Sequence, residues 1–275
     1  MKNIKLISLD LDGTLLDSKK RLSPKNEKAL KDCITRGIHI VPTTGRTVDG
    51  VPSAIKEIPG IRYVIATNGA VIYDMKEQKI IDSRTLDRYR ALEILQMLEP
   101  CPVMYDPYIN GRGISEERFL NHMDEFGLPK ELQDMVRATR DVVPNIIRHV
   151  GENSCPVEKI NIFFKDSVSK EQIRKRLKEI SGIVITSSIP LNLEINNPEA
   201  TKGKGILRLA GYLEISPNHT MAFGDGENDI SMIEEAGIGV AMENGVEPLK
   251  KMADYITKSN DEDGVAAAIE KFVLL

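Results

Sequence analysis

Residues 7 to 17, Ile-Ser-Leu-Asp-Leu-Asp-Gly-Thr-Leu-Leu-Asp, decide how the rest of the chain is read. The run IKLISL just before Asp10 is short, apolar and rich in branched residues, which predicts a buried strand. It stops on two carboxylates, Asp10 and Asp12, with Gly13 next to free the backbone for a turn. In a parallel sheet covered on both faces, ligands bind in the crevice beyond the carboxyl ends of the strands. The residues following each apolar run are therefore the ones to inspect for chemistry.

Working outward, KNEKALKDCITRG has helical periodicity, IHIVPTT reads as a strand, a helix-like stretch runs to Ile58, and YVIAT reads as a strand. Alternation of this kind predicts βαβ units with right-handed crossovers and a parallel sheet. The pattern resumes in LNLEIN, KGKGILRLAGYL, HTMAFGD, NDISMIEEAG, IGVAM, VEPLKKMA, DYIT and a last helix, EDGVAAAIEKFVLL. Both ends thus predict one doubly wound α/β core built from residues 1–83 and 191–275. Between them, residues 84–190 mix the amphipathic helices RYRALEILQML and SKEQIRKRLKEI with the strand-like pieces VMYDPYI, IIRHV, EKINIFF and IVITSS. That mixture predicts an inserted α+β domain, with hinges at 83–85 and 189–191.

A chain of 275 residues, 41% apolar, is long enough for both domains. Its 37 basic and 41 acidic side chains leave a formal charge of −4, without the basic footprint that a nucleic-acid binder needs. Cys33, Cys101 and Cys155 form no CxxC pair, which argues against a disulfide framework or a structural zinc site. The first apolar run is too short for a signal peptide, and no segment approaches a membrane span. The expectation is a cytoplasmic protein with no membrane partner.

The second predicted strand ends in Thr43-Thr44-Gly45-Arg46, and the late strand TMAF ends in Gly224-Asp225-Gly226-Glu227-Asn228-Asp229. Any one of these segments is explained by turn and cap chemistry. Together they bring several carboxylates to one rim, where like charges repel unless a cation neutralises them. Oxygen donors suit Mg²⁺. His39, His122, His149 and His219 have no ligand spacing, neither acidic loop has EF-hand register, and no P-loop occurs.

In order, DLDGTLLD, TTGR, the lysine of EATKGKG and GDGENDISM resemble the four motifs of the haloacid dehalogenase superfamily. Within it the chain resembles the Cof-type phosphatases, which carry a large α/β cap of subclass IIB between the second and third motifs. ATNGAVI and LEIN…TKGKGI extend the likeness, while the inserted segment matches only in length and position.

The resemblance implies a Rossmannoid core with a mobile cap. It makes Asp10 the nucleophile, forming an aspartyl-phosphate, and Asp12 the general acid and base, with backbone amides around Leu11 facing phosphate. Thr44 and the Gly45 amide, near a helix start, would hold phosphoryl oxygens; Thr43 aligns with the alanine of the family's usual ATGR. Arg46 would clamp phosphate or simply open a helix in solvent. Lys202, chosen over Lys204 by alignment alone, would offset transition-state charge. The implied Mg²⁺ ligands are Asp10, the backbone carbonyl of Asp12, and Asp225, with Asp229 acting indirectly. Asn228 would touch phosphate and Asn68 the substrate entrance. In the cap, Tyr105, Tyr108, Arg112 and Lys159 are candidate contacts.

The implied function is a Mg²⁺-dependent phosphatase acting on a small phosphorylated metabolite such as a sugar phosphate. A phosphomutase would use the same intermediate. A receiver-like phosphate switch also places Asp, Thr and Lys at strand ends, but lacks the paired carboxylates and so large an insert. Substrate identity and oligomeric state are not legible.

Overall fold

The computed structural model describes residues 3–128, 130–152 and 155–275. The chain divides into two compact units: one runs to Ser83 and resumes at Glu199, and the other is Arg84–Pro198.

The first unit is built on a five-stranded sheet in the order Tyr255–Ile256, Ile238–Ala241, Thr220–Gly224, Leu6–Leu9, His39–Pro42. Every neighbouring pair is parallel. Both faces are covered, so the strands read as continuous apolar runs rather than as alternation. Ile7, Leu9, Ile40, Met221 and Phe223 face one apolar cluster, which also takes Ala29, Leu30 and Cys33 of helix Pro24–Thr35. Leu6, Val41 and Ala222 face a second, with Ile206, Leu209 and Ala210 of helix Lys202–Tyr212. Helix Pro24–Thr35 starts where the sequence allows it: Ser23 Oγ accepts the Asn26 amide and proline fills the first turn.

Two expectations for this unit fail. The stretch leading to Ile58 holds only the short helix Ser53–Lys56, because Arg46, Val48 and Gly50 lie in bends and turns. YVIAT does form a strand, Tyr63–Ala66, but it joins Val71–Asp74 and Lys79–Ser83 in a separate three-stranded antiparallel sheet. Among the described residues its ladder link to the parallel sheet is a parallel bridge from Ile65 to Thr43.

The second unit is a six-stranded sheet in the order Val184–Thr186, Asn192–Asn196, Val157–Phe163, Met104–Ile109, Arg112–Ser115, Arg140–Val142. Helices Arg88–Leu98, Ile146–Glu152 and Ser167–Leu177 contribute Ala91, Ile94, Leu95, Ile146, Val150, Ile173 and Leu177 to its apolar cluster. IIRHV, expected as a strand, is therefore a helix. Ile146 and Val150 are one helical turn apart and both buried, while Asn145 Oδ1 accepts the Arg148 amide and Glu116 accepts the Ile146 amide.

LNLEIN, expected in the core, is an inner strand of this sheet, paired on one side with Val157–Phe163 and on the other with Val184–Thr186. The return crossing consequently lies between Pro198 and Glu199 instead of near 190. Among the described residues no helix is long and apolar enough to cross a membrane.

Candidate active site

The parallel order places strand Leu6–Leu9 between His39–Pro42, the next in sequence, and Thr220–Gly224, reached only after the rest of the chain has returned. The winding reverses there, and a crevice opens at such a switch point. Asp10 and Asp225 follow the two strands that flank it, and the Asp10 amide donates to Phe223 O at 3.0 Å, keeping the pairing to the rim.

Gly13 follows in a left-handed conformation, φ 88°, and a Cβ at this position would collide with the Asp225 carboxylate. The next residue fixes that carboxylate from the same side: Thr14 Oγ1 donates to Asp225 Oδ1 at 2.6 Å. Behind it, the Val246 amide donates to Asp225 O, and Asn244 Nδ2 to Gly13 O at 2.8 Å.

Lys202 enters from the first turn of helix Lys202–Tyr212, whose start is capped by Thr201 Oγ1 accepting the Lys204 amide. Its fully buried ammonium donates to Asp10 Oδ1 at 2.6 Å and to Asp229 Oδ1 at 2.5 Å. The other oxygen of Asp229 accepts the amides of Asp225 and Gly226, both at 2.9 Å. Lys204 instead pairs with Glu199 near the surface.

The electrostatics follow from this crowding. Burial, opposed by Lys202 and reinforced by Asp229, Asp225 and Asp12, pushes Asp10 well above the usual carboxylate range. Burial, then the charge of Asp229, pushes Asp225 up to about 7 against the Thr14 hydrogen bond. Burial works against the charge of Lys202, but Asp10 and Asp229 outweigh it and hold its pKa above that of an ordinary lysine.

Asp12 behaves differently. Its carboxylate turns to Arg46, which donates through Nε to Oδ2 and Nη2 to Oδ1, each at 2.7 Å, and Lys20 Nζ lies 2.8 Å from Oδ1. Burial opposes ionisation, but these two cations hold Asp12 at about 2. Arg46 is thus neither a solvated helix-start residue nor, in this state, a phosphate clamp. No helix begins there, and the guanidinium is spent on Asp12 and on the Gly50 carbonyl.

Around this centre, Thr44 is buried with its Oγ1 accepting the Arg46 amide at 3.1 Å. Gly45 lies beside it in a bend, not at a helix start. Thr43 points away, sharing a 2.5 Å hydrogen bond with Ser8 Oγ. Asn68 occupies a left-handed conformation, φ 58°, and its Oδ1 accepts Asn228 Nδ2 at 3.2 Å, so these two predicted residues meet. The Leu11 side chain is fully buried in the core, leaving only its backbone for a ligand.

One oxygen from each of Asp10, Asp225 and Asp229 lies within 4.8 Å of the other two. Three crowded carboxylates, two of them held against ionisation, form an all-oxygen donor set that fits a hard divalent cation. Asp229 already uses both oxygens, which suits an indirect role, and the Asp12 carboxylate stands outside the group.

Sequence reasoning singled out neither Lys20 nor Asn244 and gave Thr14 no role. For Thr14 a signal existed in its place right after the paired carboxylates. Lys20 sits in the loop after them, and nothing in its neighbourhood announces its partner.

Of the six-stranded unit's candidates, Tyr108 and Lys159 share a buried polar face, whereas Tyr105 packs edge-on against Phe119 in the apolar cluster. Arg112 pairs with Asp141 at 2.6 Å near the surface.

Comparison with known proteins gives the chain's relatives. Residues 7–269 match the family model of the haloacid dehalogenase-like hydrolases. A phosphatase of Bacillus subtilis (strain 168), YwpJ, is 36% identical over 281 residues, covering 96% of this chain and 98% of the relative. The 5-amino-6-(5-phospho-D-ribitylamino)uracil phosphatase YcsE of the same organism is 28% identical, covering 99% and 97%. A solved haloacid dehalogenase-like hydrolase from B. subtilis superposes with a TM-score of 0.87 at 33% identity, covering 98% of this chain and all of that one.

Proposed function

The chain belongs to the haloacid dehalogenase-like hydrolase family, and on that premise we propose that this phosphatase requires magnesium and hydrolyses small phosphorylated metabolites, sugar phosphates among them, through an aspartyl-phosphate on Asp10. The observation that carries the reading is the Asp10 carboxylate at the switch point, bonded to Lys202 at 2.6 Å and facing two further aspartates. Relatives named as phosphatases of a phosphorylated ribityl compound support a small organic phosphate as substrate.

With Oδ1 of Asp10 taken by Lys202, attack on phosphorus falls to Oδ2. A carboxylate is a weak nucleophile, and splitting the displacement into transfer to Asp10 and release to water makes each step easier. Asp10, Asp225 and, indirectly, Asp229 would hold the magnesium ion, which when bound supplies fixed positive charge against the phosphoryl oxygens and keeps its ligands ionised. Lys202 offsets the charge that builds on the equatorial oxygens. Thr44, the Gly45 amide and Asn228 position those oxygens by hydrogen bonds.

Asp12 protonates the leaving alcohol and then takes a proton from water, a role worth on the order of 10²- to 10⁴-fold in rate. While clamped by Arg46 and Lys20 it is fully ionised and carries no proton to give. The phosphoryl group competes for the same guanidinium, so substrate entry frees Asp12 to take up from solvent the proton that it then gives to the leaving alcohol.

The test is phosphate release from a panel of phosphorylated metabolites, with magnesium and with chelator, for the wild type and Asp10→Asn. Turnover should vanish with chelator and with the substitution. Near-normal turnover in Asp10→Asn, or an isomeric phosphate ester with no inorganic phosphate, would sink the proposal.

A further inference from the structure

The loop after the paired carboxylates is built to aim one cation. Leu16 and Leu22 form an antiparallel bridge, and between them the Asp17 amide donates to Arg21 O at 2.9 Å and the Lys20 amide to Asp17 O at 2.8 Å. Asp17 closes the turn with its side chain, Oδ1 accepting the amides of Lys19 at 2.9 Å and Arg21 at 2.8 Å. The hairpin is also tied down from outside: the Ser18 amide donates to Asp261 Oδ1 at 2.8 Å, and Asn260 Nδ2 to Leu16 O at 2.9 Å. A three-residue hairpin loop of this kind is a turn followed by one left-handed residue, the place where glycine fits without strain. Here that residue is Lys20, φ 60°.

Stability does not account for the choice. The Lys20 side chain is about half exposed, with Nζ 2.8 Å from Asp12 Oδ1, and an exposed pair of this kind contributes little. A non-glycine residue held in the left-handed region beside a reactive centre points to a role in that centre. Asp12 is shared between two cations: Arg46, mostly buried, through two hydrogen bonds, and Lys20 from the more exposed side. When Asp12 turns to the leaving oxygen, both cations lose their anion. Arg46 passes to the phosphoryl group, where Lys202 already supplies positive charge. Lys20 stands on the leaving-group side, because Asp12 is the residue that meets the ester oxygen. A proton donor sits about 3 Å from the atom it protonates, so Nζ lies within roughly 6 Å of that oxygen.

We propose that Lys20 is a specificity-determining residue, which binds an anionic substituent, a carboxylate or a second phosphate, carried one or two carbons from the ester oxygen of the substrate. The proposal rests on the phosphatase reading and narrows its substrate class.

The experiment compares two matched pairs of esters: 2-phosphoglycerate with glycerol 2-phosphate, and 3-phosphoglycerate with glycerol 3-phosphate. Within a pair a carboxylate replaces one hydroxymethyl group. Both members use the same Asp12, so an effect of Lys20 on Asp12 alone cancels in the ratio of their kcat/KM values. For the wild type with magnesium, the carboxylate should raise kcat/KM about tenfold in at least one pair, the worth of one charge-assisted hydrogen bond. Where an ester binds without turnover, the ratio is taken from dissociation constants measured by calorimetry. Lys20→Met and Lys20→Gly should bring the ratio near one, and Lys20→Arg should keep most of it. Lys20→Gly should also leave the unfolding midpoint in chelator unchanged or higher, because glycine suits the left-handed position.

Ratios near one in both pairs, no measurable binding of either carboxylate ester, or a ratio that survives Lys20→Met overturns the proposal. So does a Lys20→Gly protein with a lower midpoint and an unaltered ratio, the signature of an ion pair that only holds the loop. Phosphate release from other esters alongside ratios near one would sink the role of Lys20 and spare the phosphatase reading. No release from any ester would sink the reading, and Lys20 would fall with it.

Discussion

Replacing Asp225 by asparagine should make the metal-free protein more stable. The folded state holds the Asp225 carboxyl at about 7 against an ordinary 3.8, chiefly through burial and the neighbouring Asp229. A carboxyl raised in the folded state contributes stability that is complete below its unfolded pKa and is lost as pH climbs through the folded one. The interval from 3.8 to about 7 corresponds to about 4 kcal/mol as an upper bound. Partial exposure and coupling to the other carboxylates reduce that to roughly 2 kcal/mol above pH 7 and about 1 kcal/mol at pH 5. Asparagine keeps the Thr14 hydrogen bond and removes the charge. In urea unfolding with chelator, Asp225→Asn should therefore exceed the wild type by that margin at pH 8, and the gap should shrink toward pH 5. Magnesium should then stabilise the wild type and leave the variant behind, since only an occupied site gains from mass action. A variant less stable than the wild type in chelator at pH 8, or equal stabilisation of both by magnesium, would refute the reasoning.

Arg46→Ala should destabilise by about 1 kcal/mol at pH 7, discounting for an Asp12 carboxylate that is one-third exposed. Because Asp12 is lowered to about 2, that difference is present above pH 3.8 and fades as pH falls toward 2, which denaturant midpoints across this window will show. Lys202→Met strands Asp10 and Asp229 without their shared cation, so unfolding free energy should drop by about 3–5 kcal/mol at neutral pH, with phosphate release lost. Gly13→Ala forces both a left-handed alanine and a collision with Asp225. Calorimetry should show magnesium binding weakened at least tenfold, and unchanged affinity would mean that Gly13 does not seat that carboxylate.

The legible part of this molecule is what depends on chain-local pattern. Asp10 and Asp225 could be found because each follows an apolar run that had to be a strand, and a parallel sheet brings strand ends together. Where the pattern was short, it misled. IIRHV carries branched residues that suit a strand, yet its Ile146–Val150 spacing also suits one helical turn, and only the cluster it packs against decides. LNLEIN reads equally well in either unit, because strand character does not name the sheet that completes it. The pairing of Arg46 with Asp12 is of another kind. A guanidinium at a strand end can clamp phosphate, solvent or a carboxylate, and the choice of Asp12, thirty-four positions away, is made by tertiary structure alone.

The chain re-enters the first unit at Glu199, three positions ahead of Lys202. The lysine, its capping Thr201 and every aspartate of the rim therefore lie outside the span from Arg84 to Pro198. Such a layout makes that span a cassette. A foreign segment spliced in after Ser83 and out before Glu199 would leave every one of those side chains on or beside its own strand or helix.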